Sequence, residues 1–198
     1  MIHPQLWKIL LVLAIAQLSL PAWSVPLDPA GEVRSDLLGA ALAALEEHPE
    51  VQASHHLVVV DYSKHSSSPR LYILDLQTGA VESLRTAHGA GSDKDHDGYL
   101  ESFSSQAGSN ASPQGAFRLA EEYMGRHGRS IRLDGLEPQN INARDRAIVI
   151  HAADYAEPIF LKRYGKLGRS NGCIVFSKAD LETFREEVPT GTLVFIGR

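Results

Sequence analysis

Apolar and polar positions alternate with two different periods along the chain, and the change of period marks out the elements. Over Ser35 to Glu47 the apolar residues Leu37, Leu38, Ala41, Leu42 and Leu45 recur at helical spacing. Ser35 is placed to cap this helix, and His48-Pro49 ends it. From there the pattern is that of strands. Leu57 to Tyr62 is apolar but for Asp61, the mark of a buried strand. Arg70 to Leu76 and Ala80 to Leu84 flank the tight turn Gln77-Thr78-Gly79, so residues 70–87 predict a β-hairpin. Residues 88–114 are rich in Gly, Ser and Asp without apolar periodicity, and loops of that length in compact domains tend to serve function. Further strands are predicted at 115–119, 130–133, 147–152, 173–176 and 193–196, with a polar connection over 137–146 and a linker from 153 to 169. Ser177 precedes a last helix, Lys178 to Val188, with Asp180 and Glu182 in its first turn. The sum is a mainly β domain with few helices, without internal repeats.

The N-terminal segment has a different character. After Lys8, residues 9–20 form an apolar run too short to span a bilayer comfortably. Pro21 breaks it, and Ala22-Trp23-Ser24 offers small residues where a signal peptidase reads. Residues 1–24 are therefore expected to be a secretory signal peptide cleaved before Val25, leaving no stable membrane insertion. Residues 25–54 read as a linker plus the first helix.

The 198 residues suffice for one domain of ordinary size. The formal charge of −5 becomes −6 once Lys8 is lost, and without a basic stripe nucleic acid is excluded as an expected partner. Cysteine use changes the picture most. Exported proteins usually carry cysteines in disulfide pairs, and this chain has one, Cys173. A single thiol in an oxidising compartment is a candidate reactive group.

Cys173 begins a strand, and His151 ends another twenty-two residues earlier. A thiol and an imidazole at neighbouring strand ends make a nucleophile and its base. Gly172 allows close approach of the backbone, and the N–H groups of Gly172 and Cys173 are candidates for an oxyanion hole. Arg169 adds positive charge. The bland alternative is a small buried hydrophobe beside a core histidine.

The segment His151…Ser170-Asn171-Gly172-Cys173 resembles the signature of the L,D-transpeptidases, the YkuD-like catalytic domain: a strand ending in His, then Ser/Thr-x-Gly-Cys. Ser112-Pro113-Gln114-Gly115-Ala116-Phe117 is similar to the Thr-Pro-x-Gly-x-Phe segment upstream in that family. The closer resemblance is to the murein L,D-transpeptidase catalytic domain branch. It is carried by His88-Gly89-x-Gly91-Ser92, Phe103-Ser104-Ser105, Tyr123-x-Gly125-x-His127-Gly128, Leu133-x-Gly135-Leu136-Glu137, Asn142 and Gly168-Arg169-Ser170, and spans roughly 55–197. Asn171 stands where the wider family often has His, and Ile174, Val175 and Phe176 follow the cysteine where it often has Arg.

The resemblance implies a β-sandwich of mixed sheets with flanking helices over 55–198. It implies Cys173 as nucleophile, His151 as general acid/base, and Ser170 and Gly172 orienting the histidine or binding the oxyanion. Asn171, Arg169, Ala152, Ser112 and Gly115 would line the substrate, with the 88–114 loop as a cleft wall. The substrate implied is the peptidoglycan stem tetrapeptide, joined through a thioester into 3→3 crosslinks without cofactor or metal. An L,D-carboxypeptidase on the same stem peptides and a catalytically silent peptidoglycan-binding domain are the alternatives.

Two weaker signals remain. Asp93-Lys94-Asp95-His96-Asp97-Gly98 is similar to the start of a calcium loop, but its twelfth position is Ser104 rather than Glu, and a solvated turn reads equally well. Arg129, Arg132, Arg144, Arg146 and Arg163 either face an anionic glycopeptide or are solvated charges.

Overall fold

A computed structural model describes residues 25–51 and 55–198; the expected signal peptide, residues 1–24, lies outside them. Eight strands form one mixed sheet: β1 (His56–Asp61), β2 (Leu71–Asp75), β3 (Val81–Leu84), β4 (Gly115–Gly125), β5 (Gly128–Gly135), β6 (Val149–Ala152), β7 (Ile174–Phe176) and β8 (Leu193–Gly197). Their order is β3-β2-β1-β8-β4-β5-β6-β7. The β1–β8 and β6–β7 pairs are parallel, and the others antiparallel.

The sheet curls until its two halves face each other. Val58 and Val60 of β1 and Leu71 and Ile73 of β2 share one buried core with Ile131, Ile150, Ile174 and Phe176 from the other half. The ends then nearly meet, because Ala87, just after β3, bridges Val175 of β7 through an N–H···O bond of 2.8 Å. The sandwich and its flanking helices are as expected, and its two layers are halves of a single ladder.

β1 is apolar from Leu57 to Val60 because both its faces are covered. Val58 and Val60 point into the main core, while Leu57 and Val59 pack with Leu37, Ala41 and Leu45 of α1 (Ser35–Glu47). Ser35 is not the cap of α1. Arg34 holds that position, and the Asp28 carboxylate takes up the Glu32 and Val33 amides just before it. Ser177 caps the last helix as expected, its Oγ accepting from the Asp180 N–H at 3.1 Å.

Two elements exceed the sequence pattern. β4 and β5 run six and four residues past their apolar stretches, because Glu121, Glu122, Arg129 and Arg132 form ion pairs along the polar extension. The linker after β6 holds a seven-residue helix, α2 (Pro158–Tyr164), with Pro158 in its first turn and left-handed Gly165 ending it. α2 buries no residue, so it left no amphipathic pattern to find. The last helix becomes α3 (Lys178–Glu187). Among the described residues no helix is long and apolar enough to cross a membrane.

Candidate active site

The parallel pair β6–β7 places the thiol and the imidazole. Ile150 is registered against Ile174, and His151 against Val175. Since successive side chains point to opposite faces, Ile150 and Ile174 enter the main core while Val149, His151, Cys173 and Val175 share the other face. There Cys173 packs among Ala87, Val149, Ala156, Leu167 and Val175, with Tyr123, Tyr155 and Leu161 at the margin. Its Sγ donates to the Ala147 carbonyl at 3.6 Å. Ala147 is held at φ 54°, a left-handed conformation costly for a residue with a Cβ. The chain accepts that strain at the turn whose carbonyl meets the thiol, and such strain clusters at functional sites.

The turn before Cys173 is fixed from two directions. From within, Ser170 Oγ donates to the Cys173 carbonyl at 2.8 Å and accepts the Gly172 N–H at 3.1 Å. From outside, the main chain of 88–90 clamps Ser170, whose N–H donates to His88 O at 2.8 Å and whose carbonyl accepts Ala90 N–H at 2.7 Å. Gly172 sits at φ 115°, and a Cβ there would stand 2.6 Å from the Ala111 carbonyl oxygen. Only glycine fits.

These contacts reassign several expected site residues. Ser170 is spent on the backbone of its own turn instead of on His151. Gly172 N–H is taken by Ser170, which leaves Cys173 N–H as the donor of that pair. Arg169 turns away to donate to the Asp93 carbonyl. Ser112 accepts the Gly89 amide through Oγ at 2.9 Å and receives Ser92 Oγ on its own N–H, which fixes the wall of the cleft. Gly115, at φ 98°, opens β4 against Ile196, where Glu137 and Asn140 would block any side chain. Ala152 acts through its carbonyl, which accepts His151 Nδ1–H at 2.9 Å. Asn171 is exposed and lines a cleft.

That bond to Ala152 decides the protonation chemistry. A carbonyl can only accept, so Nδ1 carries the hydrogen and the neutral ring keeps its lone pair on Nε2. Burial pushes the His151 pKa below its ordinary value against the raising pull of the Ala152 carbonyl, and His127 and Arg126 push it further down. Burial raises the Cys173 thiol, while the Val149 N–H, Arg126 and Arg146 pull it back. The resting pair near pH 7 is therefore a neutral thiol and a neutral imidazole, and the proton must move when the sulfur attacks.

A cleft of about 550 Å³ opens beside this turn, lined by Asn110, Arg126, Asn142, Asp145, Arg146 and Asn171 among others. Arg146 holds its wall by donating to the Ser104 and Ala111 carbonyls at 2.9 and 2.8 Å. Of the other arginines, Arg129, Arg132 and Arg144 are committed to Glu121, Glu122 and Asp134, and Arg163 lies over Tyr164.

Two features escaped the sequence reading. Arg126 and His127 form the β4–β5 turn, and the His127 ring stacks on His151 with centroids 4.2 Å apart and planes at 16°. The motif Tyr123-x-Gly125-x-His127-Gly128 held the signal, without the partner. Behind the clamp lies a buried chain in which Arg70 donates to His88 Nδ1 at 2.9 Å and His88 Nε2–H donates to Asp93 at 3.0 Å. Asp93 also heads the calcium-like loop, where it comes within 4.8 Å of Asp95 and Asp97. Its carboxylate is committed to His88 and to the Asp97 and Gly98 amides, and Lys166 and Arg169 donate to carbonyls of the same loop.

Solved structures, two L,D-transpeptidases among them, resemble this chain distantly. That from Mycobacterium smegmatis is 14% identical, with 73% of this chain and 59% of that one covered at a TM-score of 0.45. L,D-transpeptidase 3 from Mycobacterium tuberculosis is 13% identical over 73% and 61%, also at 0.45. Bd1075 from Bdellovibrio bacteriovorus is 14% identical over 73% and 48%, at 0.45. The chain thus spans about half to three fifths of these proteins. No curated protein matches it. The L,D-transpeptidase catalytic domain model, by contrast, matches residues 30–196, nearly the whole described chain, and by that match the protein belongs to the L,D-transpeptidase catalytic-domain family.

Proposed function

We propose that this protein is an exported cysteine L,D-transpeptidase acting on peptidoglycan stem peptides. The observation that carries the reading is the β6–β7 register, which sets Cys173 and His151 on one face with His151 Nδ1 tied to Ala152 and Nε2 left as the base. Cys173 Sγ attacks the carbonyl of the third residue of a stem tetrapeptide. The C–S bond forms, the C–N bond to the terminal D-Ala breaks, and the thiol proton passes through His151 to the departing amine. An amine of a second stem peptide then attacks the thioester. The new C–N bond closes a 3→3 crosslink, the C–S bond breaks, and the proton of the amine returns through His151 to the sulfur. Cys173 N–H is the backbone donor available to the oxyanion. Arg126 and Arg146 give the cleft the positive charge that a carboxylate-bearing peptide requires. Export rests on residues 1–24, read as a signal peptide, and places the protein in the periplasm or cell envelope.

Incubating residues 25–198 with disaccharide-tetrapeptide tests this by intact mass and product analysis. The expected result is a transient adduct on Cys173, released D-Ala and crosslinked dimers, all lost in Cys173→Ala. Tripeptide without dimers would assign the carboxypeptidase activity instead. Absence of both adduct and product, with the fold intact, would overturn the enzymatic reading.

A further inference from the structure

We infer that His127 is a second histidine of this site, a positioning residue that fixes the plane of the His151 ring by stacking on it. The inference rests on the Cys173–His151 reading above and adds a residue to it.

His151 must change charge twice in each cycle while its ring keeps one orientation. The Ala152 carbonyl restrains one edge through Nδ1–H, but a single hydrogen bond leaves the ring free to tilt about it. The near-parallel His127 ring removes that freedom. It arrives there because the β4–β5 ladder continues to Gly125↔Gly128, so that Arg126 and His127 form the turn. Left-handed Gly128, at φ 77°, closes it. Ser130, three residues on from His127, is registered against His151. The hairpin therefore folds its tip back over the histidine strand.

Two adjacent imidazoles would ordinarily compete for the same proton, and here they do not. Arg126 Nε donates to His127 Nε2 at 3.0 Å, which occupies the lone pair that would act as a base. The fixed guanidinium charge also opposes protonation of His127, alongside its partial burial. His127 thus remains a neutral aromatic surface that holds the plane of the His151 ring. The groups that bear on His151 are the Ala152 carbonyl on its own strand and His127 and Arg126 from the hairpin tip. One imidazole carries the proton and the other carries the geometry.

The test compares His127→Ala, His127→Phe and Arg126→Gln with the wild type by three readouts. These are the pH titration of the His151 ring followed by NMR, the pH–rate profile of Cys173 alkylation by iodoacetamide, and kcat and KM on disaccharide-tetrapeptide. All three changes fall on an exposed turn, so Tm should stay near wild type. His127→Ala should lower kcat about tenfold, well short of the roughly 10²–10⁴-fold that an acid–base group supplies, with KM within twofold. It should also move the His151 titration and the alkylation profile to higher pH. His127→Phe, which keeps the stack, should restore most of kcat, and Arg126→Gln should move the titration to higher pH with its cost falling on KM, since Arg126 also lines the cleft. An unchanged His151 titration and alkylation profile in His127→Ala would overturn the inference. The failures are separable: a wild type that does not turn over the muropeptide, but whose titration and alkylation shift in His127→Ala, would sink the substrate assignment and leave the positioning role standing.

Discussion

Two buried histidines, one in the segment after β3 and one in β6, have opposite fates in this fold. His88 and His151 are both almost fully enclosed, at 1% and 2% exposed, and burial lowers the pKa of each. His88 has both ring nitrogens engaged, one by buried Arg70 and the other by buried Asp93, and its pKa falls to about 4. His151 has one nitrogen engaged, by a backbone carbonyl, and keeps the other lone pair. Burial and a shifted pKa are therefore common to the residue that holds the frame and the residue that does the chemistry. An unspent lone pair beside a nucleophile is what separates them. The same contrast holds for their neighbours. Ser170 is fully spent on its own turn, and Cys173 Sγ donates only a long, weak bond to the Ala147 carbonyl.

The strongest way to break this contrast is to remove the chemistry and watch the frame. Cys173→Ala or His151→Gln should cost a thousandfold or more in turnover on muropeptides, with Tm changed by only a few degrees. A large drop in Tm for His151→Gln would place it with His88 as a structural residue.

Gly172→Ala comes next, because it strikes the turn that joins the two regions. The added Cβ meets Ala111 O at 2.6 Å and Ile148 Cδ1 at 2.9 Å in a left-handed conformation. A loss of roughly a hundredfold in the Cys173 acylation rate is expected, since about 1 Å of misplacement costs that much. Single-turnover kinetics with a thiol-reactive probe would read it.

His88→Ala should do the reverse of the catalytic substitutions. It leaves Arg70 and Asp93 buried without their shared partner, at a cost of about 3 kcal/mol or roughly 10 °C in Tm. Acylation by the folded fraction should survive. The wild type should show the same linkage with pH. Between about 4 and 6.5 the unfolded chain binds a proton at His88 that the folded chain refuses, so stability falls as pH falls through that window. Asp93, whose pKa is lowered despite burial by His88 and the Gly98 amide, loses its contribution in the same direction at lower pH. Urea unfolding at pH 7 and 4.5 should show a difference of up to about 3 kcal/mol, and His88→Phe should flatten it.

The smallest expected effect has the opposite sign. At the end of α3, desolvation and the facing Glu82 carboxyl raise Glu187 to about 7. Here the folded chain binds the extra proton, so stability declines as pH rises from about 4.5 through 7, and Glu187→Gln should remove that slope. Thermal melts across that range would detect it.

How much was legible follows from what each element depends on. Residues 57–60 of β1, residues 71–74 of β2, Val149-Ile150 of β6 and the whole of β7 are apolar, so local pattern alone located these strands, and placed Cys173 and His151 at strand ends. The extension of β4 and β5 depends on Glu121 and Glu122 meeting Arg132 and Arg129 across the ladder, a pairing absent from any local pattern. Without it the hairpin tip could not be drawn, and neither could the His127 stack. Ser170 was misread for a related reason. Its hydroxyl suits a catalytic hydrogen bond equally well, and only the path of the turn shows that the Gly172 amide and the Cys173 carbonyl reach it first. The chain Arg70–His88–Asp93 joins residues from three separated segments, each polar and unremarked in its own surroundings.

The position of β8 has a consequence for how the molecule comes into being. Residues 193–197, the last strand in the chain, lie in the middle of the sheet between β1 and β4. Until they are made, the β3-β2-β1 and β4–β7 halves have no strand to join them. Nearly all of the polypeptide must therefore exist before the barrel-like closure can begin, and pairing β1 with β8 demands loop closure over more than a hundred residues, a slow step. The native structure of the domain therefore waits on β8.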